Sequence, residues 1–302
     1  MERLESKELF NIIMQENIRL IKEKAITATI AFIMFDNAEL STRISFNLHV
    51  NTAKNIGIDV VPTILAADTK EEEFFKIIDK LNEDERITGI MFLIPIPKHI
   101  SVEKAINRIS YKKEIEGLHP RNAQVIFPTY LEKSPVELLV PKAVQRLMSY
   151  HKIEYGNANI SVVLDYDFLI ENPIANLVGR FGTSSLLPYE GALRIVTTKT
   201  KNVEKYLNDA DIIIVSSQKT EMIKGDWVKD DSILLDFVPT QVGKKFDEQL
   251  NREVPIMKGA VDVNSFENRD KVRFFPSIGG VGPIMIAILL QNAIKAADYY
   301  RK

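Results

Sequence analysis

Three short stretches carry residue types that can do chemistry. Ile94 to Ile100 (IPIPKHI) puts two prolines, a lysine and a histidine directly after an apolar run. Glu114 to Asn122 (EIEGLHPRN) sets two carboxyl groups beside a glycine. Ile278 to Met285 (IGGVGPIM) opens a long apolar segment. Glycines there let the backbone approach a ligand closely, and the N-terminus of a following helix favours an anion. Each stretch also has a plain structural reading. Prolines end a strand, two glutamates beside a glycine make a solvated turn, and Gly-Gly-x-Gly-Pro makes a tight connection.

The elements that must position these stretches follow from apolar patterning. Short apolar runs at Thr27–Phe35, Asp59–Leu65 and Ile87–Ile94 read as strands. They alternate with helical patterns at Arg43–Asn55, ended by Gly57, and at Glu71–Asn82 and Ser101–Arg108. After Pro141 a helical stretch runs to His151. A second series follows: strand Ile160–Leu164, helix Pro173–Phe181, strand Leu193–Thr197, helix Val203–Asp209, strands Asp211–Ser216 and Ser232–Phe237, and a last helix Pro283–Tyr300. Strands alternating with helices predict an α/β fold with parallel sheets. The expected boundary lies near Pro141. Residues 1–140 form a first domain, 141–283 a Rossmann-like second domain, and helix 284–302 packs back on the first.

Composition bounds the function. The chain has 302 residues, 45% of them hydrophobic and 26% charged, with a net charge of −2. That suits two domains of roughly 150 residues. Near-neutral charge argues against a dedicated nucleic-acid or membrane-surface protein. The lack of cysteine excludes disulfides, thiolate zinc sites and a catalytic thiol, and no metal site is expected. The first 25 residues read as an amphipathic helix, not a signal peptide, and the apolar stretch Ile284–Leu290 is too short to span a bilayer. The cytoplasm is the expected location. The 13 glycines fall short of the roughly 21 that average usage of about 7% gives. A nucleotide-binding α/β protein with few glycines must keep them in the right places.

Taken together and in this order, the three stretches resemble the methylenetetrahydrofolate dehydrogenase/cyclohydrolase family, the FolD type. Its pattern reads V-Q-L-P-L-P-x-H-I, then K-D-V-D-G-F-H-P-x-N, then P-G-G-V-G-P-M-T. The match extends to Asn292, with weaker anchors at Ala210-Asp211-Ile212 and Trp227-Val228-Lys229. The resemblance implies a folate-binding first domain, a Rossmann second domain with a cleft between them, NAD or NADP as cofactor, and a cytoplasmic homodimer. It also implies oxidation of 5,10-methylenetetrahydrofolate followed by hydrolysis of the methenyl product.

Several family positions hold other residues here. The family's Ser, Tyr and Lys on the helix after the first strand correspond to Thr42, Ser45 and His49. Ser45 and His49 keep the four-residue spacing of one helical face, and a histidine can act as acid or base near neutral pH. The plain reading of His49 is a partly exposed helix residue. The family's glutamine before the proline pair is Leu93. Its substrate-holding aspartate is Glu116, which retains a carboxyl for the pterin's adjacent donors. The plain reading of Glu116 is a surface ion pair with Lys112 or Lys113. Gly279, Gly280, Gly282 and Pro283 keep the family's turn, which as a plain feature is a sharp entry into the last helix.

The cofactor loop differs more. The family's G-R-S-x-x-V-G-x-P corresponds to Asp165-Tyr166-Asp167-Phe168-Leu169-Ile170-Glu171-Asn172-Pro173. Both glycines, the serine, and the arginine that would pair with a 2′-phosphate are replaced. Carboxylates stand where phosphates would lie, and two unit charges about 4 Å apart repel by roughly 1 to 4 kcal/mol. That amounts to about one to three decades in affinity. The family's H-S-x-T becomes Thr197-Thr198-Lys199-Thr200, and two further glycines become Gln218 and Ala143. Gly179, Gly182 and Gly191 offer an alternative phosphate cradle.

Three readings follow. One is a dehydrogenase that has lost the cyclohydrolase step, with NAD preferred because no guanidinium faces a 2′-phosphate. Another is a non-catalytic paralogue that binds a folate, a nucleotide or a partner, including a hetero-oligomer with an active relative. The last is a changed substrate served by Ser45, His49 and Glu116.

Overall fold

The structure is a computed structural model that describes residues 1–122, 134–167 and 190–301. They fall into two compact units, Asn11–Lys142 with Ile286–Lys302, and Met1–Phe10 with Ala143–Met285. The class is two-domain α/β with parallel sheets, as the alternating pattern implies. In chain order the elements are β1 (Glu2–Arg3), α1 (Lys7–Glu23), β2 (Thr29–Phe35), α2 (Leu40–Asn55), β3 (Asp59–Leu65), α3 (Glu71–Glu83), β4 (Gly89–Phe92), α4 (Val102–Arg108), α5 (Leu139–Tyr150), β5 (Ile160–Leu164), β6 (Leu193–Thr197), β7 (Ile212–Ser216), β8 (Ile233–Asp236), β9 (Thr240–Asp247), β10 (Arg252–Lys258), β11 (Arg273–Phe275) and α6 (Val281–Tyr300).

In the first unit a parallel sheet has the order β3-β2-β4. The central strand β2 is buried from Ile30 to Phe35, which is why its sequence is apolar without alternation. The edge strand β3 is half-exposed and tolerates Pro62, because an edge strand has one unpaired side. Phe74 from α3 packs edge-on against Phe35 and Phe92, with ring centroids 5.4 and 5.8 Å away. Beyond β4 the chain returns at Glu114, which forms a parallel bridge to Ile90, so the Glu114–Asn122 stretch leaves the sheet beside β4.

Asn292 of α6 fixes that return. Its Nδ2 donates to Ile115 O (2.9 Å) and Glu137 O (2.8 Å), and its Oδ1 accepts from Glu137 N (3.1 Å). The helix is 20 residues long and by length and composition alone could cross a membrane. This corrects the expectation from Ile284–Leu290, which gave too short a span. Ile284, Ala287, Ile288, Leu289, Leu290, Ala293 and Ile294 are almost wholly buried within the protein, which marks a core helix.

In the second unit six strands are parallel in the order β1-β11-β8-β7-β5-β6 among the described residues. Apart from the N-terminal β1 at the far edge, the chain enters the sheet at β5, adds β6 on one side and β7 on the other. The order therefore reverses between β5 and β7, as in doubly wound nucleotide-binding sheets. Asp211 at the start of β7 accepts from Asn159 N (2.7 Å) and pairs with Lys229 (2.6 Å), so two weak sequence anchors meet in space.

Several expectations differ. Val203–Tyr206 is a 3₁₀ turn, not the start of a helix to Asp209. Asn202 enters it with φ +52°, and Leu207 N bonds back only three residues to Glu204 O. The antiparallel hairpin β9–β10, with Phe246 61% exposed, and the short strands β1 and β11 were not anticipated. Helix Pro173–Phe181 lies outside the described residues.

Replacing Asn292 with alanine leaves two carbonyls and an N–H near β4 without their partner. Urea unfolding should show a loss of about 3 kcal/mol.

Candidate functional site

In the first unit Thr42, Ser45 and His49 share one face of α2, as their spacing requires. Thr42 and Ser45 are half-buried, whereas His49 is buried against Phe32, 5.8 Å between ring centroids. His49 Nδ1 lies 2.7 Å from Ser45 O. A carbonyl only accepts, so Nδ1 carries the proton. Burial, outweighing that bond, holds His49 below the usual histidine range. His49 is thus neither partly exposed nor a cation at neutral pH. Leu93 is buried at the end of β4 and contributes only its backbone N–H, to Ile33 O (2.9 Å). The Ile94–Pro95 peptide that follows is cis.

Glu116 is presented by a tightly bonded loop. Its N–H donates to Glu114 Oε1 (2.6 Å), and its carbonyl accepts from Leu139 N (3.3 Å). The buried Glu114 carboxylate also accepts from His119 N and from Asn122 Nδ2, each at 3.0 Å. Gly117 has φ +81°, and a Cβ there would lie 2.8 Å from Leu138 Cα, so only glycine fits. Burial, and secondly the charge of Glu114, push the Glu116 carboxyl up to about 8. The ion pairs considered for Glu116 are not formed. Lys113 Nζ caps the end of α3 at Leu81 O, Asn82 O and Asp84 O, and Lys112 lies over the Tyr300 ring. Glu114 itself lay inside the motif but was not singled out. Which of two glutamates turns inward depends on the bridge to Ile90.

In the second unit the ligand crevice of such a sheet lies at the carboxyl ends of β5 and β7. Asp165 stands there, 9% exposed, and spans the two strands. Its Oδ2 accepts from Ser217 Oγ (3.0 Å) and Gln218 N (3.1 Å), and its Oδ1 accepts from Asp167 N (3.1 Å). Lys199 at the end of β6 pairs with Asp167 (2.5 Å) and sits 4.4 Å over the Tyr166 ring. Tyr166 N donates to Thr198 Oγ1 (3.1 Å), and Thr197 N to Thr200 Oγ1 (2.9 Å). Asp165 and Asp167 are therefore not bare repelling charges, as the sequence suggests. One is met by donors and the other by a lysine. Glu171 lies outside the described residues, as do Gly179 and Gly182. Gly191 is no part of a cradle: it precedes the amino end of β6, and a Cβ there would lie 2.0 Å from Ala158 O. Ala143 is buried within α5.

The turn into α6 holds its glycines for different reasons. Gly279 has φ +76°, and a Cβ on Gly280 would lie 2.0 Å from Pro276 O. Gly282 has neither constraint: a Cβ there meets nothing within 4 Å. Pro283 is half-buried in the first turn of the helix. Sequence reasoning missed Asp236, which ends the buried strand β8. Burial pushes it up to about 6, against bonds from Val261, Ala260 and Val238 N–H groups. Its Oδ1 has no hydrogen-bond partner among the described residues. An acidic residue ending an all-apolar strand was the available signal.

A small parallel α/β unit with a carboxyl presented beside its edge strand, and a doubly wound unit with a switch point, define a two-domain protein of Rossmann-containing type. The chain belongs to the tetrahydrofolate dehydrogenase/cyclohydrolase family: residues 4–116 match its catalytic domain and residues 139–301 its NAD(P)-binding domain. It is 31% identical to the bifunctional protein FolD of Campylobacter hominis, covering 92% of this chain and 89% of that one. It is 29% identical to FolD of Acetivibrio thermocellus, covering 99% and 98%. Among solved structures it resembles the bifunctional FolD methylenetetrahydrofolate dehydrogenase/cyclohydrolase of Campylobacter jejuni, at 25% identity, TM-score 0.77, and 98% of each chain. It also resembles a 5,10-methylenetetrahydrofolate dehydrogenase of the silkworm Bombyx mori, at 25% identity, TM-score 0.79, and 100% and 99% coverage. The family places NAD(P) in the second domain. The described residues at the ends of β5, β6 and β7 do not fit its diphosphate, because their donors already serve this chain's own side chains.

The folded chain holds a proton on Glu116 that the unfolded chain releases, so this group lowers stability as pH rises from 4.5 to about 8. Glu116→Gln should be more stable than wild type at pH 8, with the difference vanishing near pH 4. Urea titrations of both proteins across that range check it.

Proposed function

We propose that this protein is a folate-binding member of its family that has lost the cyclohydrolase step. The observation that carries the loss is His49. At the family's lysine position stands a buried, neutral imidazole whose Nδ1 proton goes to its own helix. It offers no fixed positive charge to hold a proton donor against the folate's reactive carbon.

Folate recognition rests on Glu116, at the family's substrate-holding carboxylate. Glu114, Asn292 and Gly117 hold its backbone, so the carboxyl is presented on a rigid edge. Two adjacent donors on a pterin suit an ionised carboxylate. Ligand binding therefore favours release of the Glu116 proton, and affinity rises with pH towards about 8. Thr42 and Ser45, half-buried on α2, are the remaining polar groups at the family's catalytic positions.

A second reading, disfavoured by the donors already committed to Asp165, keeps hydride transfer with NAD in place of NADP. Tyr166 stands in place of an arginine, and Lys199 is paired with Asp167, so nothing there is set aside for a 2′-phosphate. The family resemblance also implies a homodimer, which sedimentation should report as twice the mass of the chain.

Calorimetry with tetrahydrofolate should give a dissociation constant of about 1–100 μM, weakened at least about tenfold by Glu116→Ala. Hydrolysis of 5,10-methenyltetrahydrofolate should run no faster with protein than without. Equal affinity of wild type and Glu116→Ala would refute the folate site, and accelerated hydrolysis would refute the lost step.

A further inference from the structure

We infer that the second domain carries its own anion at the nucleotide switch point, the Asp165 carboxylate, and takes up no nicotinamide dinucleotide. The inference is independent of the folate reading, since it concerns only the unit built on β5 to β8.

A Rossmann-type crevice binds a diphosphate with backbone N–H groups and hydroxyls at the ends of the first strand and its neighbours. Here those donors converge on a side chain. The Asp167 N–H, the Gln218 N–H and the Ser217 hydroxyl all reach Asp165, at 3.1, 3.1 and 3.0 Å. The carboxylate is buried and bridges the reversal of strand order, where the first phosphate of a dinucleotide would otherwise lie. The neighbouring cation is occupied too: Lys199 holds Asp167 and stacks on Tyr166. The hydroxyls of Thr198 and Thr200 accept backbone N–H bonds within the same strand-end loops. A diphosphate entering here must displace a buried carboxylate and then face Asp167. Its charge makes it a poor substitute for the anion already seated. The arrangement also explains why acidic residues are stable in this place: Asp165 supplies the negative charge that the donors need, so the domain closes without a ligand.

The test uses the full-length chain and two variants. Wild type in about 1 mM NAD or NADP should show no saturable heat in calorimetry and no rise in melting temperature. Asp165→Gly removes the built-in anion and frees the Asp167 N–H, the Gln218 N–H and the Ser217 hydroxyl. Once shown folded by circular dichroism, this variant should melt below wild type and gain a saturable stabilisation by inorganic pyrophosphate that wild type lacks. Asp165→Ser replaces it should the glycine variant fail to fold. Saturable binding of either dinucleotide to wild type overturns the inference. So does a folded variant that responds to pyrophosphate no more than wild type does. If neither variant folds, the wild-type titration alone decides.

Discussion

A carboxylate removed from water must be met by donors, and in a small α/β unit most of the donors at hand are backbone N–H groups. Both candidate sites are consequences of that constraint. Glu114 gathers three donors around itself, and in doing so shapes the loop that carries Glu116. Among the described residues Asp165 gathers three donors across two strand ends, and in doing so fills the space it stands in. The same physical demand builds a presenting loop in one unit and a closed mouth in the other. The difference is that, among the described residues, Glu116 beside Glu114 has no side-chain hydrogen bond, whereas Asp167 beside Asp165 is paired with Lys199.

Electrostatics alone misjudges the second case. Counting acids at positions where a phosphate binds suggests repulsion, but the structure gives each described acid a partner. What stands against a diphosphate is competition for donors more than bare like charge. Asp236 completes the contrast. It too is buried at a strand end and bonded by N–H groups, but one of its oxygens has no partner among the described residues, and its carboxyl is held towards the neutral form.

Much of the fold was legible because buried parallel strands need unbroken apolar runs. Thr29–Phe35, Ile160–Leu164 and Ile212–Ser216 are such strands and fall where those runs fall. Strands β1 and β11 were not legible, since two or three residues carry no period and their pairing with each other joins positions about 270 apart. The hairpin β9–β10 was hidden because it lies mostly exposed, so its strands lack a clean inward face. At the site, residue types were legible and partners were not. Asp165 could be read as a carboxylate, but Ser217 and Gln218 stand 52 and 53 positions further on and reach it only through the pairing of β5 with β7. His49 could be read as an ionisable group, while its burial against Phe32 could not.

The two units are interleaved along the chain. Met1–Phe10 belong with residues made more than a hundred positions later, and Ile286–Lys302 belong with residues made near the beginning. During synthesis the sheet β3-β2-β4 can form early, but the backbone beside Glu116 lacks its clamp until Asn292 leaves the ribosome. The second sheet likewise keeps its first strand waiting for its last. Neither unit can close on its early residues alone: one waits for β11 and the other for Asn292, so two nearly finished cores stand side by side before either is complete.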